Sequence, residues 1–208
     1  MDTSDLPALT DRARRLAGTG ARRILGIAGA PGAGKSTLAA RIVEGLGASA
    51  VLVPMDGFHL AGAELERLGR TDRKGAPDTF DAAGYAALLR RLRRPDGPDA
   101  VYAPAFDRAL EEPVAGSVRV PADVPLVVTE GNYLLLDEGP WAPVRPLLDE
   151  VWFLDADPAL RMRRLVDRHV RFGRTRAHAE RRAAGSDERN ARLVERHRDR
   201  ADLVVRLG

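Results

Sequence analysis

Gly29-Ala30-Pro31-Gly32-Ala33-Gly34-Lys35-Ser36-Thr37 is the stretch on which the fold turns. It fits the pattern G-x-x-x-x-G-K-[ST]. The run before it, Arg23 to Ala28, is apolar and ends in the glycine-rich turn, which predicts a strand. After it, apolar residues fall at Leu38, Ile42 and Leu46. That i, i+4, i+8 spacing predicts a helix over Lys35–Leu46 with one buried face. Strand, loop, lysine and helix agree on a phosphate cradle, where an ordinary strand–helix turn would explain only the glycines. Glycines let the backbone curl until several N–H groups face one anion, and the helix N-terminus adds the positive end of its dipole. All nine residues are therefore candidate ATP-binding residues. Lys35 is expected to reach the β- and γ-phosphates, and the Ser36 hydroxyl to ligate Mg²⁺.

Short apolar runs at Ala50–Pro54, Leu126–Thr129, Val151–Leu154 and Leu203–Val205 predict four more strands. Helices are expected over Ser4–Ala17, Glu64–Leu68, Ala82–Arg93, Asp157–Phe172 and Ser186–Arg200. Asp157-Pro158 has the form of an N-cap followed by proline at the first helical position. Arg94–Ala100 reads as a loop, Val101–Val120 as a small β excursion, and Gly173–Gly185 as a polar, mobile stretch. Strands alternating with helices predict an α/β protein, a three-layer sandwich around a five-stranded parallel sheet with helices on both faces. The first strand should be central, between the strands at 126–129 and 151–154. One domain over 1–208 is expected, with an acceptor-site insertion at about 56–120 and a lid at about 161–186.

The bulk numbers agree. At 208 residues and 44% hydrophobic the chain suits one domain with a substantial core. It has no cysteine, which excludes disulfides, a thiolate zinc site and a cysteine nucleophile. No apolar run approaches the roughly 18–20 residues that span a bilayer, and the N-terminus lacks the pattern of a signal peptide. A cytoplasmic protein that engages no membrane is expected, as a monomer or homodimer. Net charge is +3, and the arginines are spread among acids, which argues against a nucleic-acid groove. Among 33 basic residues only Lys35 and Lys74 are lysines. A compact point charge on a flexible stem differs from a planar fork, so these two positions stand out.

Two carboxylates follow predicted strands. In an open parallel sheet the carboxyl ends of the strands line the ligand crevice. Asp56, in Val53-Pro-Met-Asp56-Gly-Phe-His59, falls there and can orient an acceptor hydroxyl and take its proton. The alternative is that Asp56-Gly57 only opens a turn. Glu130, in Thr129-Glu130-Gly-Asn132-Tyr133, stands where such proteins hold Mg²⁺ or its water. Gly131 would permit close approach of a ligand. A surface glutamate at a strand end is the alternative.

Taken in order, G-A-P-G-A-G-K-S-T, M-D-G-F-H, R-K-G-A-P-D-T-F-D81, Y-A-P-A-F-D-R108 and T-E-G-N-Y resemble the phosphoribulokinase, uridine kinase and bacterial pantothenate kinase family from about Ile24 to Leu136. The resemblance implies an ATP- and Mg²⁺-dependent kinase acting on a hydroxyl of a small-molecule acceptor: a nucleoside, a sugar or a pantothenate-like alcohol. It makes Asp56 the catalytic base. The Y-A-P-A-F-D-R segment, with Tyr102, Phe106 and Arg108, would help to enclose the acceptor. His59, Lys74, Asn132 and Tyr133 complete the candidate acceptor contacts. For Lys74 a surface position of no consequence is the alternative, and for His59 a satisfied local hydrogen bond.

Arg161, Arg164, Arg168 and Arg171 share one face of the 157–172 helix. Such a stripe can clamp transferring charge, with Arg164 and Arg168 as catalytic candidates and Arg174 as a further nucleotide contact. A solvated face is the alternative. A guanine-nucleotide switch is disfavoured, because neither lysine lies in an N-K-x-D-like loop. An ATPase or nucleotide-binding module without small-molecule kinase activity is the remaining rival.

Overall fold

The computed structural model describes residues 5–94 and 99–206. Its helices α1 (Leu6–Ala17) and α2 (Lys35–Leu46) flank the strand β1 (Arg23–Ala28), and β2 (Ala50–Pro54) follows. A short helix α3 (Gly62–Arg67) leads to α4 (Ala82–Arg93), then to an antiparallel ribbon of β3 (Val101–Asp107) and β4 (Glu112–Val120). Strands β5 (Leu126–Gly131) and β6 (Glu150–Asp155) precede α5 (Pro158–Arg171), α6 (Arg176–Arg182) and α7 (Glu188–Glu195), and β7 (Leu203–Arg206) ends the described chain.

The main sheet has five strands in the order β2-β5-β1-β6-β7, all parallel. β1 is central, between the two strands expected to flank it. Its alternation is apolar on both sides: Ile24 and Ala28 enter one core, Leu25 and Ile27 the other. β6 repeats the pattern, with Val151 and Phe153 opposite Trp152 and Leu154. Strands buried on both faces need covers on both. Leu9, Ala13, Leu38 and Ile42 from α1 and α2 cover one, and Tyr85, Leu89 and Leu92 from α4 cover the other. Among the described residues no helix is long and apolar enough to cross a membrane.

Two expectations change. Residues 173–185 are largely helical: Thr175 Oγ1 accepts from His178 N at 3.3 Å and starts α6, and a π-type turn, Ala183–Asp187, joins it to α7. Ala179 and Ala183 bury there against Leu165 and Val166 in a small cluster separate from both main cores. Composition showed the polar residues but hid this pair of alanines. The last helix is correspondingly shorter, ending at Glu195 before a 3-10 turn at Arg198–Arg200. Of the expected segments, Ser4 and residues 95–98 lie outside the described residues.

Register fixes where the site forms. Ala28 lies beside Gly131, and Pro54 beside Glu130. The segments after β1, β2 and β5 therefore leave the sheet side by side at its carboxyl edge.

Candidate active site

The loop after β1 wraps a lysine. Gly32 has φ 78°, and a Cβ there would sit 2.8 Å from the Arg161 carbonyl, so only glycine fits between the loop and α5. Lys35 is 7% exposed, and its Nζ donates to Ala30 O at 3.0 Å and Asn132 Oδ1 at 2.7 Å. The loop itself excludes water from the stem. Burial lowers the Lys35 pKa to about 8, against the pull of Glu130 and Asp56. Ser36 Oγ donates to Glu130 Oε1 at 3.0 Å. Burial raises the Glu130 pKa to about 7, the Asp56 charge adds to the rise, and Lys35 opposes it. Thr37 is exposed on α2 and does not line the cavity.

A cavity of about 300 Å³ opens from this loop. Pro31, Gly32, Lys35, Ser36 and Glu130 line it around the loop, and Asp56, His59, Lys74, Phe80, Phe106 and Arg108 form a second group of lining residues. Asp56 sits in a 3-10 turn, Met55–Phe58. Its Oδ2 accepts from Arg108 Nη2 at 2.8 Å, and its Oδ1 lies 4.0 Å from His59 Nε2. Both Lys74 and Arg108 lie over the Phe106 ring, at 5.1 and 4.8 Å from its centroid. Asn132 lines the cavity beside Lys35.

His59 stacks on Phe80, with ring centroids 3.9 Å apart. Its Nδ1 is buried and has no hydrogen-bond partner, which overturns the expectation of a satisfied local bond. Burial lowers its pKa to about 4, more than the Asp56 carboxylate restores. The ring is neutral at pH 7 and carries an unused polar atom.

The arginine stripe divides. Arg168 and Arg174 line the cavity. Arg164 does not; its Nη1 donates to Ala33 O at 3.1 Å and so braces the loop from outside. Arg161, buried, does the same to Pro31 O at 3.1 Å and pairs with Glu188 at 3.5 Å. Arg171 is exposed.

Two further expectations fail. Tyr102 is 57% exposed on the ribbon, opposite Arg119 and outside the cavity. Tyr133 is fully buried, and its hydroxyl donates to Gly75 O, so it anchors the Lys74–Gly75 loop from within the core. Gly131 also has a plainer reason than ligand approach: a Cβ there would lie 2.5 Å from Met55 Sδ. The sequence reading missed Arg182, which donates to Lys74 O, and Asn190, which donates to Gly75 O at 3.2 Å. No local spacing marks either, because their partners lie over a hundred residues away.

The arrangement suits a nucleoside triphosphate with Mg²⁺. A glycine cradle, a buried lysine and a serine–glutamate pair face one cavity, and Mg²⁺ bound with phosphates uses only one or two protein carboxylates.

Comparison with known proteins agrees with this geometry. The profile of the Phosphoribulokinase / Uridine kinase family matches residues 24–208. A Schizosaccharomyces pombe protein provisionally named uridine kinase C227.14 is 34% identical over 98% of this chain and 91% of its own. The pantothenate kinase of Enterococcus faecalis is 31% identical over 66% of this chain and 46% of its own. A solved structure from Silicibacter sp. TM1040, provisionally named a fructose transport system kinase, superposes with a TM-score of 0.86 at 37% identity, covering 96% of this chain and 98% of that one.

Proposed function

The chain belongs to the phosphoribulokinase / uridine kinase family, and from that premise we propose that it transfers the γ-phosphate of ATP to a hydroxyl of a small metabolite, with Asp56 as the base. The observation that carries this reading is the placement of Asp56. Its carboxylate lines the same cavity as Lys35, Ser36 and Glu130, on a separate segment after β2, and lies close enough to act on the charge of Lys35 and Glu130.

Each residue then has a task. The loop amides and Lys35 hold the β- and γ-phosphates, and Arg168 and Arg174 add positive charge from the lid. Ser36 and Glu130 would hold Mg²⁺, which supplies charge neutralisation on the phosphate oxygens. The acceptor oxygen bonds to the γ-phosphorus while the bond to the bridging oxygen breaks and ADP leaves. The hydroxyl proton passes to Asp56, whose Oδ2 is already engaged by Arg108 and whose Oδ1 is the nearer to His59. The segment 161–186, with its own small apolar cluster, acts as the lid that excludes water.

Names of relatives suggest acceptors of the nucleoside, sugar and pantothenate type. The decisive assay is ADP release measured across a panel of small alcohols. Acceptor-dependent release with a phosphorylated product is expected. ADP release at one rate whatever the acceptor would leave only the ATPase reading.

A further inference from the structure

The cavity lining carries six Lys and Arg side chains against four carboxylates, a surplus of positive charge. Lys74 and Arg182 are among them, and neither has a carboxylate within 4.0 Å among the described residues. Lys74 Nζ donates only to a backbone carbonyl, Glu111 O, at 2.6 Å. Arg182 donates to the Lys74 and Asp72 carbonyls, and its Nε is buried without a partner. Cations gathered around a cavity in excess of its carboxylates call for an anion.

The triphosphate does not supply it. Its natural partners are Lys35 and the lid arginines Arg168 and Arg174. Lys74 lies over Phe106 and close enough to His59 to act on its charge state. Arg182 is tied to the backbone of Lys74 itself. His59, neutral, adds an unpartnered Nδ1 to the same end of the cavity. Burial lowers the pKa of both Arg168 and Arg182; Arg108 adds to the fall at Arg168, and Arg174 and Arg168 add to it at Arg182, more than Asp187 and its neighbouring carboxylates restore. An arrangement of that kind is relieved when an anion enters.

We propose that the acceptor is itself an anion, a hydroxylated carboxylate or phosphate ester, whose charged group is held by Lys74 and Arg182 while its hydroxyl meets Asp56. This rests on the kinase reading and narrows it: uncharged nucleosides and free sugars become poor acceptors. A carboxylate and a phosphate share the required chemistry, and the assay separates them.

The test uses matched pairs in the ADP-release assay: glycerate against glycerol, pantothenate against pantothenol, ribose 5-phosphate against ribose, with uridine as a neutral nucleoside. At least one anionic member should exceed its neutral partner by about 10- to 100-fold in kcat/KM, the scale of one charge-assisted contact. Lys74→Gln should shrink that ratio by about tenfold or more, acting through the acceptor KM. The KM for ATP serves as the internal control, and a thermal melt checks folding. Efficient turnover of a neutral partner, or of uridine, at the rate of the anions overturns this inference and leaves the kinase reading standing. An unchanged ratio in Lys74→Gln overturns it as well. ADP release that responds to no acceptor defeats the kinase reading itself, and this inference with it.

Discussion

The two ends of the cavity are built by different means. The phosphate end is, apart from Glu130, one run of chain, residues 29–36, whose backbone amides suit it to phosphate and whose one charged side chain is wrapped by the loop that precedes it. The acceptor end is assembled from side chains far apart in sequence: Asp56 and His59 after β2, Lys74 and Phe80 before α4, Phe106 and Arg108 on the ribbon, and Arg182 on the lid. Backbone amides bind phosphate whatever is being phosphorylated. Side chains gathered from four segments can change singly, so on the proposed reading this end would set the acceptor. Damage to the first end should therefore affect all acceptors alike, whereas damage to the second should sort them.

Lys35 should show the largest effect. Lys35→Met removes the cation that neutralises transferring charge, and a loss of about 10³–10⁵-fold in kcat is expected, the range seen when such a cation is missing in phosphoryl transfer. Stability should move the other way. Burial lowers the Lys35 pKa to about 8. A base with a depressed pKa contributes stability above its unfolded value that is lost as pH falls through the folded one, so at neutral pH the charged side chain weakens the ligand-free fold. A thermal melt of Lys35→Met at pH 7 should match or exceed that of the parent. A variant that melts far lower would show that the bonds to Ala30 and Asn132 outweigh the cost of burial.

Asp56→Asn comes next. The amide keeps the shape and the contact with Arg108 but cannot take a proton. General-base assistance is typically worth about 10²–10⁴-fold, and a kcat loss of that size is expected with little change in ATP affinity. Full acceptor-dependent turnover by this variant would pass the role of base to Glu130. A shift in Mg²⁺ dependence would instead make Asp56 a metal ligand.

The same contrast explains what the sequence disclosed. The phosphate end was legible because its signal is local: one nonapeptide between a strand and a helix. The parallel sheet was legible for a related reason, since strands covered on both faces are apolar at consecutive positions, as Val151–Leu154 are. Asp56, Phe106 and Arg108 could be picked out by family resemblance, and the cavity gathers all three. Tyr102 could not be told from Phe106, because the register shift between Ala103 and Ala105 decides how the ribbon meets the site. Arg182 and Asn190 gave no sign at all, since their partners belong to a loop that only the tertiary fold brings near.

Gly57 probes the seam between the two ends. It lies against the ribbon, where a Cβ would meet Pro104 O at 2.3 Å. Carbonyl oxygen on a strand has little freedom to retreat, so Gly57→Ala must displace the turn that carries Asp56. Overpacking of this kind costs about 1–3 kcal/mol, and a misplacement near 1 Å can reduce kcat by about 10²-fold. ATP binding should survive, because the phosphate loop is on another segment. A variant with parental kcat would show that the turn can shift without moving the carboxylate.

The smallest effect separates the ends by acid. His59 is the buried group of the acceptor end whose charge state changes in mild acid. Burial puts its folded pKa at about 4, against 6.5 for a free imidazole. The unfolded chain therefore takes up a proton first. Stability contributed by the neutral ring is complete above pH 6.5 and is lost as pH falls toward 4, by at most about 3 kcal/mol. His59→Phe keeps the ring stack on Phe80 and cannot take the proton. Melting temperatures of parent and variant, followed without ligands from pH 7.5 to 4.5, should converge toward the variant's favour as the pH falls. Glu130 cannot mimic this slope. Its raised pKa gives stability that is present in acid and lost as pH rises through about 7, the opposite sign. Parallel curves for the two proteins would mean that His59 takes up its proton as readily in the folded state as in the unfolded chain, with its Nδ1 reaching water rather than held free for an acceptor.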